Sequence, residues 1–251
     1  MNNPQFRRFL LGLSLLCLVW LAFCLWVDQV RWNTWEIGID TAAWGQLAHQ
    51  GSQENGWIFT CYPDVPDRTD SRSILSVHSY WLTPLLGILY RIWPHPLVLF
   101  ASVHVAHAFG ALLIGLLVWR MGKEDPWLAL GATVVFLLYP PHALAQTRYD
   151  FAFRHWTLFL IPLAGVLTLS KHRFRPLLPL FLLAAAEENI SLVAGFICFA
   201  LAWKWQGHRR WFTGWGLFFC AYTVFAIKIG IPFFLEKGFQ LHFAGRYSHL
   251  G

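Results

Sequence analysis

Between Leu97 and Trp119 the chain runs through 23 consecutive residues without Asp, Glu, Lys or Arg. As a helix this stretch is about 34 Å long, enough to cross the roughly 30 Å hydrocarbon core of a bilayer. A second run, Phe9 to Val27, follows Arg7-Arg8 and is 19 residues long. No small-residue cleavage site follows it, so it reads as an uncleaved first span rather than a secretory signal. Lipid offers backbone N–H and C=O groups no partners, so a spanning segment must satisfy them itself, and runs this long do so as helices. Composition agrees. Charged residues make up 13% of the chain against about 25% in soluble domains, which excludes a solvated globular domain. The 57% hydrophobic and 18% aromatic content excludes a disordered one. The expectation is an all-α polytopic membrane protein, a single transmembrane domain over 1–251 with six or seven hydrophobic helices.

Residues 28–75 form the long polar segment and hold seven of the thirteen acids. Within it, Trp35, Ile39, Ala42, Ala43 and Leu47 recur near helical spacing, which predicts a helix over Thr34 to Gln50 lying on the membrane surface. Gly, Pro and Asp mark 51–73 as irregular. The run 74–93 is apolar but broken by Pro84, and is expected to be juxtamembrane. Further apolar runs are Trp127–Tyr139, Trp156–Ser170, Leu177–Trp203 and Trp211–Leu235. Glu187-Glu188-Asn189 interrupts the third of these, so a helix break is expected there. Five Cys are present and four lie inside apolar runs, so no disulfide framework is implied.

The net charge of +6 is a matter of topology rather than of nucleic-acid binding. If 74–93 stays outside and 177–203 is a broken pair with its tip outward, ten of the nineteen basic residues fall in short inner loops: Arg7, Arg8, Arg120, Lys123, Lys171, Arg173, Arg175, Lys204, Arg209 and Arg210. The positive-inside rule favours this arrangement, with a cytoplasmic N-terminus in the cell's inner (plasma) membrane.

It also gathers Glu36, Asp40, His78, Asp150, His155, Glu187, Glu188 and Arg246 on or near the outer face. An ionised group near the bilayer centre costs roughly 2.5–3.5 kcal/mol, so the Glu187-Glu188 pair is expected to have a function. Glu36 and Asp40, four residues apart, are expected on one helix face, which spacing alone makes the solvated face of a surface helix, although two carboxylates so placed can also hold a cation or act as a base. His104 and His107 are expected to be imidazoles bonded between helices, since no carboxylate is near them in sequence. There is no P-loop, no GxGxxG and no hydrolase elbow.

Five segments in order carry a resemblance: WEIGIDTAAWGQLAHQG at 35–51, VHSYWLTPLLGILYRIWPHPL at 77–97, LLYPPHALAQTRYDF at 137–151, AAAEENISLVAG at 184–195 and RYSHLG at 246–251. Together they resemble a bacterial family of membrane proteins, the domain-of-unknown-function family 2079. That family is similar to the GT-C glycosyltransferases, which take a sugar from a polyprenyl-phosphate lipid on the outer side of the membrane. The resemblance implies a catalytic acid role for Glu36 and Asp40. It implies substrate-binding roles for His78, Asp150, His155, Glu187, Glu188 and Arg246, with a divalent metal as the cofactor such chemistry admits. The chain departs from the family pattern at Glu36, where Asp is usual, at Ala152 and Arg154, where His and Glu are usual, and at Ala186, where Lys is usual. Family members continue beyond the Arg-Tyr block, so Gly251 is expected to be a truncation point. The competing expectation is a non-enzymatic transporter or scaffold. One-sided polar residues and the lack of an internal repeat weigh against a transporter.

Overall fold

The computed structural model describes residues 4–36, 39–52, 59–60, 72–73, 75, 78–122, 124–139, 151–170 and 172–234. Among these the fold is all-α, apart from one antiparallel ladder of two residues per strand: β1 (Phe59–Thr60) pairs with β2 (Arg72–Ser73), Phe59 opposite Ser73. The helices are α1 (Pro4–Asn33), α2 (Ile39–Ser52), α3 (Thr83–Ile92), α4 (Leu97–Met121), α5 (Pro126–Leu138), α6 (Thr157–Thr168), α7 (Leu177–Ala186), α8 (Glu188–Lys204) and α9 (Arg209–Phe225). A π turn, Ala226–Gly230, and a last helical turn, Ile231–Phe234, continue α9. Among the described residues, three helices are long and apolar enough to cross a membrane: Pro4–Asn33, Leu97–Met121 and Gln206–Phe234. The expected run at 74–93 yields only the ten residues of α3, about 15 Å, too short to cross alone.

The chain divides into two compact units, Met1–Ala42 with His95–Pro179, and Ala43–Pro94 with Leu180–Gly251. In the first, α1, α5 and α6 pack against α4. Lipid is as apolar as Leu, so helices in it associate through close packing of small residues rather than through a hydrophobic drive. Ala108 and Ala111 of α4 meet Cys17 of α1 and Leu137 of α5 in a buried core. Gly110 brings the α4 backbone against the Leu158 carbonyl of α6. Both α4 imidazoles bond between helices as expected: His104 Nε2 pairs with an Asp28 carboxylate oxygen of α1, and His107 Nε2 lies 3.3 Å from the Phe136 carbonyl of α5.

That first pairing changes the expected end of the first span. Asp28 is not a loop residue; it is buried within α1, which runs on to Asn33. Burial of the acid is offset by His104 and by Arg31, 3.6 Å away one turn on, whose guanidinium also stands over the Phe100 ring. The helix ends in a Schellman motif. Trp35 takes a left-handed φ of 59°, its N–H donates to the Trp32 carbonyl, and the Glu36 N–H donates to the Arg31 carbonyl.

The same motif corrects the expected helix over 34–50. Glu36 is consumed in closing α1, and α2 starts only at Ile39. Glu36 and Asp40 therefore do not share a helix face. Nor is α2 a surface helix. Ala43, Trp44, Gly45, Leu47 and Ala48 are buried, an arc of more than half its circumference at about 100° per residue. Trp35, expected on the apolar stripe, is 90% exposed.

In the second unit, α8 packs against α9 through small residues. Gly195 faces Cys220 and the Gly216 carbonyl, and Gly216 in turn leaves room for the Phe199 ring. Phe181 of α7 stacks edge-on against Trp215 and Phe219 of α9 at 5.0 and 5.2 Å. Trp44 of α2 meets Tyr80 at 5.0 Å, and Arg91 Nε of α3 donates to the Ser52 carbonyl at 3.1 Å.

Candidate functional site

The expected break in 177–203 falls at Glu187. Helix α7 ends at Ala186, Glu187 takes an extended backbone (φ −167°, ψ 148°), and α8 restarts at Glu188. The restart places Glu188 in a first turn, where the positive end of the helix dipole favours a carboxylate. The segment before α3 runs alongside this break. Its Leu82 N–H takes the Ala185 carbonyl at 3.2 Å, one of the end-of-helix acceptors that α7 cannot satisfy itself.

That anchor brings His78 to the two acids, 110 residues away in sequence. His78 Nδ1 lies 2.7 Å from Glu188 Oε1 and 3.9 Å from Glu187 Oε1. The Ser79 N–H donates to Glu188 Oε2 at 3.0 Å, so both oxygens of that carboxylate are held. Glu187 is 2% exposed and Glu188 fully buried, so neither acid is the solvated headgroup-level residue that a plain helix break would give. Among the described residues, these three are the group of His, Cys, Asp and Glu side chains close enough to share a metal ion, with ligand atoms all within 4.8 Å of one another.

A second layer fixes this arrangement. Trp81 Nε1 donates to the Tyr222 hydroxyl at 2.7 Å, and that hydroxyl stands 3.4 Å from Ser79 Oγ. Thr223 Oγ1 reaches the Glu188 carbonyl and Ser191 Oγ, each at 3.1 Å, and Ser191 Oγ donates to the Phe219 carbonyl at 2.8 Å. These bonds tie α8 to α9 directly beneath the acids. Beside them is a small, mostly apolar pocket, lined mainly by Trp81, Tyr222, Phe225, Ile231 and Phe234, with Ser79 in its wall. The π turn contributes Ala226 and Gly230 to the same wall, and such turns inside helices are frequent at functional sites. Ser79 thus belongs both to the acid cluster and to an apolar groove.

Five expected site residues remain: Glu36, Asp40, Asp150, His155 and Arg246. Glu36, exposed, and His155 both belong to the first unit. His155 sits in a 3-10 turn, Phe153–Trp156, and faces the cation-forming side chains of Arg154 and His104. Asp40 lies in the first turn of α2, with its side chain outside the described residues; Asp150 and Arg246 are wholly outside them. Ser79, Trp81, Tyr222 and Thr223 escape a sequence reading because Ser, Thr and aromatics are ordinary in apolar helices. The Asp28–His104 pair escapes it too, although an acid at the end of an apolar run is itself a signal of an intramembrane partner.

No curated protein and no solved structure matches the chain. The sequence pattern of the domain-of-unknown-function family 2079, described as a predicted membrane protein, matches residues 51–251 and so takes in the whole acid cluster and the cleft. The chain therefore belongs to that family of membrane proteins.

Proposed function

We propose that the protein is a GT-C-like glycosyltransferase that takes a sugar from a polyprenyl-phosphate donor and passes it to an acceptor on the outer face of the plasma membrane. The observation that carries this reading is the buried His78–Glu187–Glu188 cluster sharing Ser79 with an apolar cleft. A lipid-linked sugar needs such a pair of environments: a polar site for the headgroup and an apolar one for the chain. On this reading the carboxylates of Glu36 and Asp40 act as the general base, removing the acceptor proton. His78, Asp150, His155, Glu187, Glu188 and Arg246 bind substrate, Arg246 by clamping phosphate. The whole of 1–251 acts as one transmembrane domain with its N-terminus inside.

The test uses full-length protein in nanodiscs supplied with undecaprenyl-phosphate sugars, measuring release of free undecaprenyl phosphate. Glu36→Gln, Asp40→Asn and Glu188→Gln are each expected to slow release by about a hundredfold or more, with insertion unchanged. Release at the parent rate in all three variants would overturn the assignment.

Sidedness has its own test. With Cys61 replaced by serine, Gly56→Cys is expected to react with an impermeant thiol reagent added to intact cells. The four remaining thiols are buried or half-buried and give a low background. Reaction only after permeabilisation would invert the topology.

A further inference from the structure

We infer that His78, Glu187 and Glu188 bind one divalent cation of the Zn²⁺/Mn²⁺ class, an inference whose purpose, though not its binding test, rests on the proposed transfer reaction. The geometry is close to that of a three-ligand site. Two ligand atoms bound to one such metal at about 2.0–2.2 Å in tetrahedral geometry stand about 3.3–3.6 Å apart. Here His78 Nδ1 is 2.7 Å from one carboxylate oxygen and 3.9 Å from the other, values on either side of that spacing. Small rotations of the two side chains close the site. The second oxygen of Glu188 already has its own task, since Oε2 accepts the Ser79 N–H at 3.0 Å. This leaves Oε1 aimed at the metal position and orients the carboxylate, the role that outer hydrogen bonds play around metal ligands.

Charge points the same way. Glu188 is fully buried and Glu187 nearly so, and buried carboxylates are paired or coordinate a metal. A divalent ion with a neutral imidazole balances both acids. On binding, the proton that His78 and Glu188 share leaves to solvent, and the nitrogen lone pair goes to the metal. The imidazole ligand selects for Zn²⁺ or Mn²⁺ and against Ca²⁺, which takes oxygen ligands. Three protein ligands leave at least one position open. In the proposed reaction that position takes a phosphate oxygen of the donor, whose tail lies in the adjoining cleft, and the metal offsets the charge of the departing polyprenyl phosphate.

The probe is Mn²⁺ itself, added to full-length protein in nanodiscs after chelator treatment and followed by electron paramagnetic resonance. The expected result is one tightly bound Mn²⁺ per chain, displaced by Zn²⁺ but not by Ca²⁺, with a nitrogen coupling from the imidazole. His78→Gln is expected to lose that coupling, and Glu187→Gln to weaken binding by about tenfold or more. Binding without nitrogen coupling in the unaltered protein overturns the inference with no variant needed, as does unchanged affinity in both variants. Transfer at full rate in chelator-treated protein would sink the metal and leave the transferase standing. A bound metal with no transfer would do the reverse.

Discussion

Gly110→Val is expected to cost upward of about 3 kcal/mol, at or beyond the top of the usual range for overpacking. It should leave little folded protein after detergent extraction. A Cβ at this position would fall well inside contact distance of the Leu158 carbonyl oxygen and 2.8 Å from its carbon, with Phe136 3.4 Å away. The obstacle is backbone, so no rotamer change relieves it; α4 and α6 must separate. Because lipid does not drive helices together, the close packing that separation destroys is most of what holds them. Gly131 of α5 and Gly12 of α1 are the controls. A Cβ there meets nothing within 4 Å, and alanine at either is expected to be neutral or to stabilise by up to about 1 kcal/mol through helix propensity. The measurement is the SDS mole fraction at half-unfolding in mixed micelles. A Gly110→Val midpoint equal to that of Gly131→Val would refute the close approach of α4 and α6.

Glu188→Ala should lower stability by about 1–3 kcal/mol, the cost of stranding a buried hydrogen-bonded group. The Ser79 N–H loses its acceptor, and the 2.7 Å contact to His78 disappears. Removal of one member of a buried ion pair often costs more, about 3–5 kcal/mol, because the other keeps its charge. The His78 side chain is 14% exposed, so water takes over part of the lost contact and the lower range applies. Glu188→Gln retains an acceptor for the Ser79 N–H and is expected to recover most of the loss. A double-mutant cycle with His78→Gln should show coupling between the two positions, the signature of direct contact. Additive losses would mean that the 2.7 Å contact carries no energy. These stability effects are separable from the loss of transfer, because Glu188→Gln is expected to fold and yet fail to turn over.

Much of the fold could be read from residue order alone. A helix spanning a bilayer is specified by local properties, namely a long apolar run and the cost of charge inside it, so the α4 span and the break at Glu187 are legible without any partner in view. The His104 and His107 bonds to neighbouring helices follow from the same cost. The family assignment also came from ordered local motifs.

The details that make a site are not local. Periodicity carried the expected second helix through Glu36, whereas the Schellman closure of α1 takes up the Glu36 backbone; the competition between two helix ends for one residue is invisible to a repeat pattern. Asp28 looked like the first residue of a loop because its partner, His104, is 76 positions away. His78 and Glu188 stood in the sequence as two unrelated candidates. One backbone bond, from the Leu82 N–H to the Ala185 carbonyl, sets the segment that joins them. Burial then turns their proximity into chemistry, because two carboxylates held out of water next to an imidazole must be balanced by something. Which charges need company can be judged from composition and spacing; which ones find it depends on how the helices pack.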